Sequence, residues 1–580
     1  PPPAPHVRPC LDARHGDFQT NAALVQAKLA QRNPRELAEE LRAALDLEGI
    51  AEPAEIAGPG FLNFRLTNAY VEQQVAARWD DRRLGVPTVA RPEKIVVDYS
   101  SPNIAKEMHV GHLRSTILGD ALARIHVFLG HEVIADNHIG DWGTSFGMIL
   151  LGYKREGNAE KLELDPFGHL ESIYQKIQAE AKTDESIREA ARRELVMLQQ
   201  GDGENRKLWE QFRNYSLDAL DVIYQKLGVQ FDHTLGESFY NNALPHVVND
   251  LVKQGIARES EGAIAIFSDG SLPPKEDPFL VSEGGEFRDN PFLIRKSDGG
   301  FNYATTDLAT VQYRHEHFRA HRVLYVVGGP QQMHFRQLFA AARRWGFDDM
   351  KLEHVWFGTI LGPDKKPFKS REGTSVKFRA LLAEAEERAA KILAEKMAAQ
   401  QAKLEERGEG AAERRPGLSD HQKAILARVV GLGALKYADL AQNRNLDYVF
   451  SWDKLLAFDG NTAPYLQNAY VRARAIFRKA GLDGAPDAAV VLADPAELAL
   501  GRKLLDFADS LLIAAEEYRP HYLCLYLFEL ATLFHKFYEL CPVLGAAPEV
   551  RDSRLILADL TARTLGLGLN LLGIEVVEQM

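Results

Sequence analysis

The stretch from Ile95 to Gly143, IVVDYSSPNIAKEMHVGHLRSTILGDALARIHVFLGHEVIADNHIGDWG, constrains the fold more than any other part of the chain. Ile95, Val96 and Val97 form a short apolar run of the kind that becomes a buried strand. Ser100, Ser101, Pro102 and Asn103 break it. Leu113, Ile117, Ala121, Ile125 and Leu129 then recur at every fourth position, which predicts a helix, and Gly130 stands where that helix would stop. Val133, Ile134 and Ala135 resume as a second strand. Strand, loop, helix and strand over this length predict a parallel crossover unit.

His109-Val110-Gly111-His112 falls at the predicted helix start. A helix N-terminus offers unpaired N–H groups and partial positive charge, which favour phosphate. Gly111 would let a flat ligand ring lie on the backbone. Two histidines there can donate hydrogen bonds to oxygens that gain charge in a transition state. As a bare tetrapeptide the motif is more simply read as surface polarity, because four residues recur easily by chance.

At 580 residues the chain exceeds one compact core, so several domains are expected. Its 69 basic and 81 acidic side chains give a net charge of −12, which does not announce a nucleic-acid binder, although a whole-chain sum hides a local basic face. Cys10, Cys524 and Cys541 include no CxxC pair, so no zinc site and no disulfide framework is expected, and three thiols suit a reducing compartment. No apolar run reaches membrane-span length, so no membrane partner is expected.

Residues 1–75 read as a small α+β unit, with helices over Thr20–Arg32 and Pro34–Ala44 and a half-exposed strand at Phe61–Leu66. A catalytic region spans 90–377, with an insertion at about 152–290 that could equally be a separate domain. Tyr174–Gln200 is predicted helical and Asp269–Asn290 loop. Strands are predicted at Phe292–Ile294, Val323–Val327 and near Val355–Leu361, with a helix opening over Tyr303–Asp307; this order again suggests a parallel sheet. Residues 378–455 form a helical linker, solvated at its start, and 456–580 a helical domain with helices at Pro464–Ala480, Glu497–Glu517 and Pro520–Leu540. The loop Gly362–Thr374 gathers Lys365, Lys366, Lys369 and Arg371; it is either a solvated hairpin tip or a mobile basic loop that closes on a triphosphate.

SPNIAKEMHVGHLRST followed by GDWGTSFG resembles class I aminoacyl-tRNA synthetases, and among them the arginyl-tRNA synthetases, with HVGH where the class carries its HIGH signature. The likeness runs from about His15 to the C-terminus. HGDFQTNAAL with GFLNF resembles that family's N-terminal additional domain. The 362–374 loop resembles its KMSKS loop. The segment 436–481 and RPHYLCLYLFELATLFHKFYELCPVL resemble its helical anticodon-binding region.

The resemblance implies a multidomain α/β plus α protein. It would have a Rossmann-like parallel-sheet catalytic domain with an insertion, a small α+β N-terminal tRNA-binding domain and a C-terminal helical bundle. It implies ATP-dependent activation of L-arginine and transfer to tRNA-Arg through an arginyl-adenylate. Mg²⁺ would arrive with ATP, and the protein would be a cytoplasmic monomer.

By the same resemblance, His109, His112, Lys106 and Lys369 are catalytic, and Gly111, His112, Lys106, Lys369, Ser370 and Arg371 bind ATP. Arg371 replaces the loop's second lysine, and Lys106 takes over that lysine's part. Asp98, Asn103, His109, Tyr303, Asp307 and Gln331 would bind arginine; carboxylates suit its planar guanidinium, and Tyr303 and Asp307 share a helix face. Phe61 and Asn63 would contact the tRNA elbow, and Tyr465, Asn468 and Arg472, with Arg474 beside them, the anticodon end. Each of these has a plain structural alternative as a core, turn or bundle-surface residue. Two rival readings are another class I synthetase and an inactive paralogue that binds tRNA as a regulator. Intact HVGH, Lys106 and Lys369 speak against the second.

Overall fold

The computed structural model describes residues 7–10, 12–104, 107–366, 377–406 and 418–580. The first unit comprises β1 (Arg8–Pro9), β2 (Phe18–Thr20), α1 (Ala22–Ala30), α2 (Pro34–Ala44), β3 (Glu55–Ala57) and β4 (Phe61–Phe64). Its sheet has the order β1-β2-β4-β3, and every pair is antiparallel. Ala23, Ala38, Ala54 and Leu62 make its small core. Helix α1 starts later than its periodicity predicts because Thr20 belongs to β2, and its Oγ1 accepts from Ala22 N at 3.1 Å. Helix α2 starts as predicted, with Pro34 in the first turn and Asn33 as its cap. Helix α3 (Asn68–Asp80) then sends Val71 and Val75 into the main core.

The crossover unit forms as predicted: β5 (Lys94–Asp98), α4 (Val110–Leu129) and β6 (Glu132–Asp136), with β5 and β6 parallel. Gly130 ends α4 at φ 97°, a conformation that glycine adopts without steric cost. The insertion opens with α5 (Thr144–Glu156), α6 (Ala159–Leu164), α7 (Pro166–Glu180), α8 (Glu185–Gln200) and α9 (Gly203–Leu227), around a core of Ile104, Phe146, Ile149 and Phe212. The predicted helix over Tyr174–Gln200 is therefore two, separated where Asp184 caps α8.

After α10 (Glu237–Tyr240) and α11 (Leu244–Lys253) come β7 (Ala257–Ser260), β8 (Ala263–Ile266), β9 (Leu280–Glu283), β10 (Glu286–Asp289) and β11 (Phe292–Arg295). Two expectations change here. The stretch predicted as loop contains the β9–β10 hairpin, whose residues are mostly exposed and so show no alternation. Strand β11 pairs antiparallel with β8 and stays out of the parallel sheet.

The second half adds α12 (Tyr303–Glu316), β12 (Arg322–Tyr325), α13 (Gln332–Arg344), β13 (Lys351–His354) and the two-residue β14 (Ile360–Leu361). The strand predicted near Val355–Leu361 thus divides. Residues 351–354 take the sheet edge, and Trp356, Gly358 and Thr359 bond instead to the segment at 444–447. The central sheet has the order β13-β12-β5-β6, all parallel. The chain leaves β5 toward β6 on one side and returns as β12 on the other, so a topological switch lies between β5 and β12, where such sheets bind ligands beyond their carboxyl ends.

The remainder is helical: α14 (Phe378–Glu406), α15 (Asp420–Leu440), the short β15 (Tyr448–Val449), α16 (Trp452–Leu455), α17 (Ala463–Ala480), α18 (Pro495–Leu505), α19 (Phe507–Glu516), α20 (His521–Leu540) and α21 (Pro548–Leu571). Helix α14 is solvated on one face only. Phe378, Leu381, Leu382, Ala385 and Ala389 form a buried stripe, and the helix packs on α15. The single helix predicted over Glu497–Glu517 breaks at Asp506. Among the described residues no helix is long and apolar enough to cross a membrane.

Candidate active site

Strand β5 ends at Asp98, and the chain then turns through two residues in an unfavourable conformation. Ser100 and Ser101 have φ values of 71° and 46°. Left-handed backbone costs a non-glycine residue about 1–3 kcal/mol and persists only where neighbours hold it. Here Ser115 Oγ accepts from Ser100 N at 2.9 Å, and Asn137 Oδ1 accepts from Ser101 N at 3.1 Å. Asn103 bridges to Gly140, which ties this loop to the segment after β6. Asn103 itself is exposed.

Helix α4 is capped by its two histidines. His109 Nδ1 accepts from Gly111 N at 3.1 Å, and His112 Nδ1 accepts from His109 N at 3.1 Å. The imidazoles stand in for the serine and glutamate of a capping box. With both Nδ1 atoms accepting, the proton of each neutral ring lies on Nε2. The ring centroids are 4.1 Å apart. Burial, and then His109, push the pKa of His112 down to about 3. His112 is therefore neutral at pH 7 and acts as an Nε2–H donor. A Cβ on Gly111 would stand 2.9 Å from the His109 ring, so the tetrapeptide needs its glycine.

The far end of the basic loop returns to this cap. His109 forms a β-bridge with Lys377, and Phe378 N donates to Met108 O at 2.9 Å. Lys377 Nζ lies 2.8 Å from Glu107. At the near end, β14 pairs with β15. Lys106, Lys369, Ser370 and Arg371 lie outside the described residues.

Acidic groups gather beside the switch point. In the parallel register Tyr325, Asp98 and Asp136 are direct partners across β12, β5 and β6, so their side chains share one face. Arg314 from α12 reaches over all three. Its Nη2 lies 2.8 Å from Asp98 Oδ2 and 2.7 Å from Asp136 Oδ2, and its guanidinium sits 5.2 Å from the Tyr325 ring centroid. Ser101 Oγ donates to the other oxygen of Asp98 at 3.0 Å.

Two turns earlier on α12, Asp307 contacts His334 Nε2 at 2.5 Å. Tyr303 opens the helix and is 70% exposed. Gln331 is exposed, in the turn before α13. The pKa of Tyr325 is raised by burial and then by Asp98 and Asp307, while Arg314 lowers it, which puts these groups in one electrostatic neighbourhood.

Known families and proteins match the chain along its length. Residues 76–452 match the catalytic domain of class I tRNA synthetases (R), residues 466–580 the DALR anticodon binding domain, and residues 2–66 the arginyl tRNA synthetase N-terminal domain. The arginine–tRNA ligase of Chromobacterium violaceum is 46% identical over 100% of this chain and 96% of its own length. That of Escherichia coli O157:H7 is 45% identical over 99% and 96%. Arginyl-tRNA synthetase of Thermus thermophilus superposes with a TM-score of 0.79 at 27% identity, covering 99% of this chain and 96% of that one. The Plasmodium falciparum enzyme gives 0.80 at 29%, covering 99% and 94%. The chain belongs to the arginyl-tRNA synthetases.

Sequence reasoning missed one acid in this arginyl-tRNA synthetase fold. Glu237 begins α10, and its N–H donates to Ile139 O at 3.1 Å. Next to it, Ser238 is held by Asp141 through N at 2.8 Å and Oγ at 2.7 Å. Burial, then Asp307, then Asp141 push the pKa of Glu237 up to about 8. A buried acid whose charged form is disfavoured by a second acid is a candidate for meeting a cationic group. In sequence Glu237 lies in a turn-like LGES, where an acid carries no signal.

The residues assigned to tRNA are spread over two units. Phe61 is half-buried on β4 and Asn63 is buried there, opposite Gln19 and Glu55. Tyr465, Asn468 and Arg472 lie on α17, all partly buried. Tyr465 packs on His535 with centroids 4.9 Å apart, and Arg472 contacts His535 Nδ1 at 3.1 Å. Arg474 pairs with Glu578 at 3.3 Å.

Proposed function

We propose that this chain activates L-arginine with ATP and transfers the arginyl group to tRNA-Arg. The observation that carries this reading is the pairing of two unlike groups near one switch point: a histidine-capped helix N-terminus, and an acid set of Asp98, Asp307 and Glu237.

The arginine carboxylate attacks the α-phosphorus of Mg·ATP. One P–O bond forms, the bond to the β-phosphate oxygen breaks, and pyrophosphate leaves. Charge grows on the α-phosphate oxygens, and the Nε2–H groups of His109 and His112 with the α4 terminus stabilise it. Lys106, Lys369, Ser370 and Arg371 supply cationic and hydroxyl contacts to the phosphates, and Gly111 admits the adenine side. Mg²⁺ comes with the nucleotide, held by its phosphates.

In the amino-acid pocket Asp98 takes the α-ammonium, with Asn103 and Gln331 beside it. Asp307, Glu237 and Tyr303 take the guanidinium. The 2′-hydroxyl of the terminal tRNA adenosine then attacks the adenylate carbonyl and AMP leaves. Phe61 and Asn63 contact the tRNA elbow, and Tyr465, Asn468 and Arg472 the anticodon arm. The chain acts as a monomer in the cytoplasm, which sedimentation and cell fractionation would check.

Arginine-dependent ATP–pyrophosphate exchange, with and without tRNA-Arg, tests the reading. Exchange that requires both arginine and tRNA is the expected result. Intact tRNA binding without exchange under either condition would return the tRNA-binding, non-catalytic alternative.

A further inference from the structure

Arg314 is fully buried, yet it is the only side chain that bonds both Asp98 and Asp136 among the described residues. It projects from the same helix, and by periodicity the same face, as Asp307, seven residues before it. Seven residues of α-helix span about 10.5 Å. Under the reading above, Asp98 and Asp307 hold the two ends of one amino acid. Asp98 belongs to a strand and Asp307 to a helix, so something must fix the distance between them. A buried guanidinium whose Nη2 donates to both strand ends, with Nε adding a 3.3 Å contact to Asp136, fixes it in direction and in length, because the planar group leaves little freedom.

We propose that Arg314 is the positioning residue of the amino-acid pocket, setting the spacing between Asp98 and Asp307 and thereby the side-chain length that the enzyme accepts. The proposal rests on the assignment of those two acids to arginine. Arg314 touches no substrate itself. It carries a second consequence for the charge state of the strand ends. Asp98 and Asp136 are partners on adjacent strands, with Tyr325 on β12, Tyr240 on α10 and His138 after β6 facing the same cluster. Burial and Asp98 raise the pKa of Asp136, and Arg314 opposes them. Without that guanidinium the Asp136 carboxyl is held less firmly in its charged form.

The test compares arginine with homoarginine, one methylene longer, in ATP–pyrophosphate exchange with tRNA-Arg present. One methylene commonly supports discrimination of about 10–200-fold. Arg314→Lys keeps the charge but loses the planar group. It is expected to raise the KM for arginine by roughly 10-fold, leave the KM for ATP within about twofold, and lower the preference for arginine over homoarginine by roughly 10-fold. Arg314→Gln should do the same and also move the acid limb of kcat/KM for arginine to higher pH, which Arg314→Lys should not do.

Unchanged length discrimination in Arg314→Lys, or an equal rise in both KM values, overturns the proposal. Should neither Arg314 variant fold, Asp136→Asn loosens the same guanidinium from β6, the strand next to that of Asp98, and leaves both substrate acids in place. Discrimination lowered by about threefold supports the proposal, and discrimination retained overturns it. Asp98→Asn and Asp307→Asn separate the two levels. If neither changes the KM for arginine, the pocket assignment fails, whatever Arg314 does.

Discussion

His109 has two functions that one substitution can separate. Its Nδ1 caps α4, and its Nε2–H is the proposed phosphate donor. Asparagine is among the best N-caps, so His109→Asn keeps the helix start but withdraws the donor. Its melting temperature should stay within a few degrees of the parent's, while kcat falls roughly 10²-fold, the scale of one lost transition-state donor. A retained kcat would confine His109 to capping. Glu237 makes a prediction of a different kind. With a pKa of about 8 it is largely protonated at pH 7 in the free enzyme. A bound guanidinium favours its carboxylate, so arginine binding should release a proton. Calorimetry in two buffers of different ionisation enthalpy reads that release, and Glu237→Gln should abolish it. The histidine pair was legible in the sequence because the tetrapeptide sits at a strand–helix boundary. The tautomer that both rings adopt was not, since it depends on which backbone N–H each ring meets. Glu237 was not legible either, because what marks it is Asp307 across the fold and no local pattern.

Helix α4 is held by more than its apolar face. Arg114, one turn after the cap, pairs with Asp439 of α15 at 2.7 Å and donates to the carbonyls of Gly358 at 2.7 Å and Leu446 at 3.2 Å. Both ions are nearly inaccessible, with side chains 2% and 4% exposed. Removing one partner of a buried pair strands the other charge, so Arg114→Met should destabilise the protein by about 3–5 kcal/mol, and adding Asp439→Asn should recover part of that loss. Denaturant unfolding of the two variants checks it; equal losses would show that the charge itself is not the cause. Gly358 precedes β14, which leads into the basic loop, so this one arginine links the histidine cap to the base of that loop. Elements with strong periodicity, such as β5, α4 and β6, could be read from the chain. Strands β9, β10 and β13 could not: they are short and carry no apolar alternation, β9 and β10 being mostly exposed and β13 only half-buried, and what makes them strands is a neighbour's backbone. The breaks at Asp184 and Asp506 were invisible for the complementary reason, because helix-forming residues continue on both sides of them.

Across the whole molecule, bundle and catalytic region meet through groups whose charge depends on burial. Tyr518, between α19 and α20, has a φ of 53°. Its OH accepts from Arg322 of β12 at 3.0 Å, its carbonyl accepts from Arg444 at 2.9 Å, and its ring stacks on His126 of α4. His126 is buried and its pKa is pushed down to about 4. His354 and His535 are likewise brought to about 4, and His112 to about 3, by burial first in each case. Once unfolded, all four take up a proton near pH 6.5. Between these values the unfolded chain binds more protons than the native one, so stability is full above about pH 6.5 and declines as pH falls. At pH 5 His126 alone would remove about 2 kcal/mol. Glu237 has the opposite sign: its raised pKa means that the native state binds the extra proton between about pH 4.5 and 8, so its burial costs most in alkali. Four histidines outweigh one glutamate below pH 6.5; between 6.5 and 8 the glutamate dominates, opposed only near pH 8 by Lys436, whose pKa burial lowers to about 8. The melting temperature should therefore peak near pH 6.5, fall by several degrees toward pH 5, and fall more gently toward pH 8. Scanning calorimetry across that range would show it. Glu237→Gln should flatten the alkaline side and steepen the acid side, whereas His126→Gln should soften the acid side alone; a profile that neither variant changes would place the titrating groups elsewhere.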